Sequence, residues 1–124
     1  MLFRSPENIT TEKLLEHIHT LNNDPGIDGI LVQLPLPKAI SETIILQAVD
    51  PEKDVDGFHP VNSGKLLQGE PAFIPATPYG IMLMLKHYKI QTSGKHAVVL
   101  GRSNIVGKPM SILLSRNEIG RAHV

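Results

Sequence analysis

A short apolar run that meets a glycine turn and then a helix opener constrains this chain most. In VVLGRSNIVGKPM, residues 98–110, the strand-forming residues end at Gly101, and Pro109 stands where a helix begins. A strand that feeds a helix belongs to α/β architecture with parallel strands, because the chain must recross the sheet before pairing again. A second segment, DGILVQLPLP at 28–37, reads as a strand over Gly29–Leu34. Its nearly continuous apolar residues predict cover on both faces. Pro35 and Pro37 stop it and leave one polar side chain, Gln33, at a strand end, where α/β folds commonly hold ligands. A turn that can hold phosphate and a loop that could face it predict a two-part cleft.

Between these segments the pattern is helical. Thr10 is placed to cap a helix from Thr11 to about Leu21, with Leu14, Leu15, Ile18 and Leu21 as its apolar stripe. Ser41 is placed to cap a second helix through Val49, with Ile44, Ile45, Ala48 and Val49 inward. Residues 51–73 read as irregular, with a short strand or turn near Leu66–Leu67. Thr77-Pro78 reads as a helix start, a capping hydroxyl followed by Pro at the first helical position. That helix runs to about Tyr88, apolar at Ile81, Met82, Leu85 and Tyr88. His96–Leu100 is the next strand, and Met110 to about Ser115 the last helix. The order is α-β-α, a loop, then α-β-α, with a boundary in 72–95.

Composition narrows the partners. Among 124 residues, twelve basic and twelve acidic side chains cancel, which gives no electrostatic case for nucleic acid or an anionic membrane. With no cysteine there is no disulfide or thiolate metal site. No apolar run reaches membrane-spanning length, and MLFRSPENIT lacks a signal-peptide core.

In the turn itself, Gly101 permits a tight bend, Ser103 is small and can donate to a phosphate, and Gly107 allows close packing of a helix. The amides at that helix start would face a pyrophosphate. The spacing G-x-S-x-x-x-G departs from the full dinucleotide fingerprint, so a plain strand-to-helix turn competes. Arg102 could pair with the 2′-phosphate of NADP or be an ordinary surface arginine. A P-loop is excluded, because Pro109 follows Gly107-Lys108. Asp54 and Asp56 form a carboxylate pair in PEKDVDG that more often caps turns, and no metal is expected. His17 and His19 point to different helix faces, and His59 reads as a polar loop residue.

Four blocks taken together resemble the bifunctional methylenetetrahydrofolate dehydrogenase/cyclohydrolase family: DGILVQLPLP (28–37), PEKDVDGFHPVNSGKL (51–66), PATPYG (75–80) and GRSNIVGKP (101–109). The resemblance implies part of a two-lobed α/β enzyme, the end of a catalytic lobe (1–74) followed by the start of a Rossmann-like nucleotide-binding lobe (75–117). It implies oxidation of 5,10-methylenetetrahydrofolate by a nicotinamide cofactor, NADP with NAD as the alternative, then hydrolysis to 10-formyltetrahydrofolate. It also implies tetrahydrofolate derivatives as ligands, a homodimer, and a cytoplasmic place with mitochondria as the alternative. Carried over by position, Gln33 would orient the catalytic lysine and touch the pterin, and Leu34 and Pro35 would line the folate slot. Asp56 would accept hydrogen bonds from the pterin. Gly101, Arg102 and Ser103 would hold cofactor phosphates, with Thr77 at the cleft floor.

The chain departs from that pattern. The family's Tyr and catalytic Lys, on a helix upstream, have no match here, since Lys13 lies in a different helix. The family's PCTP motif reads Pro75-Ala76-Thr77-Pro78. Beyond Asn117 the match stops, and one codon choice for residues 118–124 spells a common sequencing-adapter sequence, so the tail is read as an artefact outside the fold. The expectation is therefore a truncated central piece, inactive alone, with strands left as exposed sheet edges. Two alternatives are a short non-catalytic nucleotide- or folate-binding protein and a dehydrogenase of another substrate class.

Overall fold

Thr10 begins the ordered helical structure. Its Oγ1 accepts from the Lys13 amide at 3.3 Å, satisfying one of the donors that a helix start leaves open. In the computed structural model, which describes residues 5–6 and 8–116 and the backbone of 121–123, seven elements follow: α1 (Thr11–Asn23), α2 (Glu42–Ala48), α3 (Pro60–Gln68), α4 (Ala76–His87), β1 (His96–Val98), α5 (Gly107–Arg116) and β2 (Arg121–His123). The chain divides into two units, Met1–Asp54 and Val55–Val124.

In the first unit, α1 and α2 close over Ile18, Ile30, Ile40, Ile45 and Val49, with Leu14, Leu15 and Leu21 packed against them. Ile45 is fully buried, and covering a side chain of that size contributes about 1.5–3 kcal/mol. Ile44, expected inward, is 51% exposed; it sits one residue, or about 100°, around a short helix from Ile45. Ser41 occupies the N-cap of α2 but makes no side-chain cap bond.

The expected strand over Gly29–Leu34 reduces to one parallel bridge, Ile30 with Asp54, made by the Ile30 amide donating to the Lys53 carbonyl at 2.7 Å. Leu31 is 57% exposed, so this segment is covered on one side only.

In the second unit, α4 and α5 pack through Ile81, Met82, Leu85, Met110 and Leu114, with Ala97 and Val99. β1 pairs in parallel with β2, His96 opposite Arg121, and α5 forms the crossover between them. Residues 121–123 form this second strand, within the segment 118–124 expected to lie outside the fold. The strand expected to reach Leu100 stops at Val98, and Leu100 is 97% exposed. Tyr88, expected on the apolar face of α4, is 71% exposed and lies past the helix end as its C-cap.

The segment expected to be irregular holds α3. His59 Nδ1 accepts from the Val61 amide at 3.1 Å, Pro60 fills the first helical position, and Gly69 ends the helix with φ 81°. Pro at the start and Gly just past the end is the normal asymmetry of a helix. Helix α4 begins at Ala76 with Pro75 as N-cap. Thr77 is therefore a second-position residue and not a cap, and Pro78 is tolerated there because first-turn amides have no intrahelical partner.

Candidate functional site

The first cluster lies wholly in the unit Met1–Asp54. Val32 and Leu36 pack against its core, which turns Gln33 outward and leaves it exposed. Gln33 Nε2 donates to the Leu34 carbonyl at 3.0 Å, so the amide is folded over its own loop. Leu34 is half-buried, Pro35 is exposed, and the peptide bond between them is cis. Glu42 Oε1 accepts from the Leu36 amide at 3.3 Å and ties the far end of the loop to α2. The result is a short apolar ledge carrying one outward amide, able to donate and to accept.

The second cluster lies in the unit Val55–Val124. Asp56 is half-buried. Gly57, next to it, has φ 68°, and a Cβ there would lie 2.9 Å from the Phe73 carbonyl carbon and 3.2 Å from Pro75 Cδ. Only glycine combines that φ with so close a backbone approach. This packing joins the Asp56 turn to the segment that opens α4 and so to Thr77, which is exposed.

The turn at 101–107 differs from its expectation in one respect. Ser103 Oγ accepts from the Val106 amide at 3.1 Å and the Gly107 amide at 3.2 Å. The Lys108 amide donates to the Ser103 carbonyl and the Met110 amide to the Val106 carbonyl, while Pro109 has no N–H. Every amide at the start of α5 is therefore spent within the turn, and none faces outward to hold a pyrophosphate. A serine just ahead of a helix caps it first.

What the turn offers outward is different. Among the described residues the Ser103 hydroxyl hydrogen has no acceptor and remains available to donate. Arg102 is exposed, and among the described residues nothing engages its guanidinium. The amides of Ser103, Asn104 and Ile105 likewise carry no hydrogen bond among the described residues. Gly107 is buried against Gly101: a Cβ on it would stand 2.6 Å from the Gly101 carbonyl carbon and overlap the oxygen. The two glycines hold the loop closed, and its exposed stretch 102–104 carries a cation, a hydroxyl and amides without a partner among the described residues. Such donors suit a phosphate group.

Among the described residues no group of three His, Cys, Asp or Glu could hold a metal. Two interacting residues escaped the sequence reading. Asn22 bridges α1 to α2 by donating to the Ala48 carbonyl at 2.8 Å and accepting from the Asp50 amide at 2.9 Å. Lys53 donates to three carbonyls at the end of α1. Their only signal was a helix end with no basic residue in its last turn.

Residues 1–56 match the family of the tetrahydrofolate dehydrogenase/cyclohydrolase catalytic domain, and residues 75–124 match that of the tetrahydrofolate dehydrogenase/cyclohydrolase NAD(P)-binding domain. The chain is 60% identical over 111 residues to the bifunctional protein FolD of Flavobacterium johnsoniae, a match covering 90% of this chain and 38% of that protein. Its structure is similar to that of the bifunctional enzyme FolD from Campylobacter jejuni, with TM-score 0.86 and 52% identity over 90% of this chain and 40% of that one. It is also similar to the Trypanosoma brucei dehydrogenase-cyclohydrolase solved with NADP and an inhibitor, with TM-score 0.88 and 35% identity over 95% and 41% of the two chains. The chain spans about two fifths of the length of these relatives.

Proposed function

The chain belongs to the tetrahydrofolate dehydrogenase/cyclohydrolase family, and from that membership we propose that it is part of a cytoplasmic, homodimeric enzyme that oxidises 5,10-methylenetetrahydrofolate and hydrolyses the product to 10-formyltetrahydrofolate. The cofactor in this reading is NADP, which accepts the hydride. The observation that supports it best is the 101–107 turn, where the exposed Arg102 guanidinium, the Ser103 hydroxyl hydrogen and three amides have no partner among the described residues, around a loop held closed by two glycines. Arg102 pairs with a phosphate, in this reading the 2′-phosphate, through its planar guanidinium. Ser103 donates to a phosphate oxygen while its own oxygen stays on the helix amides. Phosphates are thus held by residues 102–105 and not by the start of α5.

On the folate side, Asp56 accepts from the amino and ring donors of the pterin, a donor pair that a carboxylate matches. Leu34 and Pro35 provide the apolar wall, and Gln33 orients the reacting groups. The acid/base lysine that the resemblance calls for is not among these residues, so this segment binds and orients.

Calorimetric titration of the chain with NADP and NAD tests the cofactor assignment. A charge-assisted hydrogen bond contributes about 1.5–3 kcal/mol, so Arg102→Gln should weaken NADP about tenfold or more and leave NAD within threefold. Equal loss for both cofactors removes the 2′-phosphate from Arg102. Failure of the wild-type chain to bind NADP, NAD or tetrahydrofolate rejects the reading. The non-catalytic alternative shares these affinities and separates on turnover, since it predicts no NADPH formation by the longer protein.

A further inference from the structure

Helix α1 ends on one backbone cap bond, the Asp24 amide donating to the Leu21 carbonyl at 3.3 Å. Its C-cap, Asp24, has an extended backbone, and its last turn carries no basic residue. Four carbonyls at a helix end lack intrahelical partners. Here Lys53, 29 positions beyond Asp24, reaches three carbonyls at this end: Nζ donates to the Leu21 carbonyl at 3.1 Å, to Asn22 at 2.8 Å and to Asp24 at 2.8 Å. All three ammonium hydrogens have an acceptor, and the positive charge meets the negative end of the helix dipole.

The same residue acts at its other end. The Lys53 carbonyl accepts from the Ile30 amide at 2.7 Å, and the Lys53 amide donates to the Asp50 carbonyl at 2.8 Å. Ile30 is the only residue of the 29–34 segment in a bridge, and Gln33 lies three residues on. A slip of one residue in an extended segment exchanges its faces. It would turn Gln33 inward and Val32 outward. The packing of Val32 and Leu36 and the Leu36–Glu42 bond hold the far end of the ledge, and its near end is held by one backbone bond, whose acceptor is anchored through its own side chain to α1.

We propose that Lys53 is a positioning residue for the folate-side ledge: its ammonium, locked on the carbonyls that end α1, fixes the bridge at Ile30 and with it the outward face of Gln33. This rests on the reading of Gln33, Leu34 and Pro35 as folate contacts. Lys53 itself touches no ligand in this proposal.

The test is amide hydrogen exchange on Lys53→Met, which keeps the alkyl stem and the backbone acceptor and removes only the ammonium. Exchange at Ile30 should rise tenfold or more while Ile45, in the core of the same unit, stays within threefold. In parallel the tetrahydrofolate Kd should rise at least fivefold with the NADP Kd within twofold, a split that a general loss of stability would not give. Methylammonium added to Lys53→Ala should restore protection at Ile30. An unchanged Ile30, or equal acceleration at Ile30 and Ile45, overturns the proposal.

If Lys53→Met does not fold, the wild-type chain decides. A Lys53 ammonium proton signal in slow exchange with water is expected, and a rapidly exchanging one refutes it. Absence of tetrahydrofolate binding by the wild type rejects the folate reading while leaving the exchange result at Ile30 to stand or fall separately.

Discussion

Gly107→Ala sets two physical effects against each other. Gly107 is the first residue of α5, and its φ lies outside the left-handed region. By helix propensity alone, alanine should stabilise, by no more than about 1 kcal/mol. The structure argues the reverse. The new Cβ would stand 2.6 Å from the Gly101 carbonyl carbon and 3.0 Å from the Arg102 amide nitrogen. These are backbone atoms, so no side chain can rotate away. Forcing a methyl into a closed space costs roughly 1–3 kcal/mol. The displacement also pulls on Ser103, whose two cap bonds fasten the same loop, and losing a cap costs about 1 kcal/mol. The net expectation is a loss of about 1–3 kcal/mol, and for a unit the size of Val55–Val124 each kcal/mol lowers Tm by about 4–8 °C. Gly80→Ala is the matched control, in the interior of α4 with nothing within 4 Å of its Cβ position; it should stabilise by about 0.5–1 kcal/mol. Urea denaturation followed by far-ultraviolet circular dichroism reads both, provided the slope m is unchanged. Equal stabilisation of the two variants would show that the Gly101–Gly107 approach does not constrain the turn.

Two other expectations concern the flanking segments. Gly57→Ala combines a positive φ with overlap on the Phe73 carbonyl, so it should cost at least about 1–3 kcal/mol and weaken tetrahydrofolate more than NADP; wild-type thermal stability in that variant would contradict the packing argument. Glu12 in the first turn of α1 has its pKa lowered by a backbone hydrogen bond at its own amide and by the Thr10 side chain. A depressed carboxylate contributes stability above its unfolded pKa and loses it as pH falls through the folded value. Acidification through and below the ordinary carboxylate range should therefore fray α1, and Glu12→Gln should remove that part of the pH dependence in a circular-dichroism titration.

How much of the fold was legible depended on whether the signal was local. The cap at Thr10 and the stripe Leu14, Leu15, Ile18, Leu21 were readable because both lie within one helix. The glycine turn between β1 and α5 was readable for the same reason. The run Gly29–Leu34 was misread as a two-faced strand because its apolar residues are contiguous, and contiguity does not say whether both faces are covered; the 57% exposure of Leu31 does. Helix α3 carried its punctuation, Pro60 at the start and Gly69 after the end, but Asn62, Ser63 and Gly64 are poor helix formers and hid it. Its buried positions, Asn62 and Leu66, are four apart and supply the period that the composition obscured.

The candidate site was legible in position and not in bonding. The second glycine of a dinucleotide fingerprint lets the backbone approach a pyrophosphate, and Ser103 in its place looks like a tolerated substitution. In the structure the serine has changed the logic of the turn. Its Oγ takes up two amides that would otherwise point outward, and its carbonyl takes up a third. In the proposed reading, anion binding then passes from the helix start to the loop before it, where Arg102 would supply the charge that the spent amides no longer can. A serine with an adjacent arginine is, on this argument, a coupled replacement. The cap holds the start of α5 by bonds within the turn, and in the proposed reading the guanidinium would make the loop responsive to phosphate. Lys53 shows the same limit from the other side, since an ammonium that ends a helix from 29 positions beyond its cap leaves no pattern within any window of sequence.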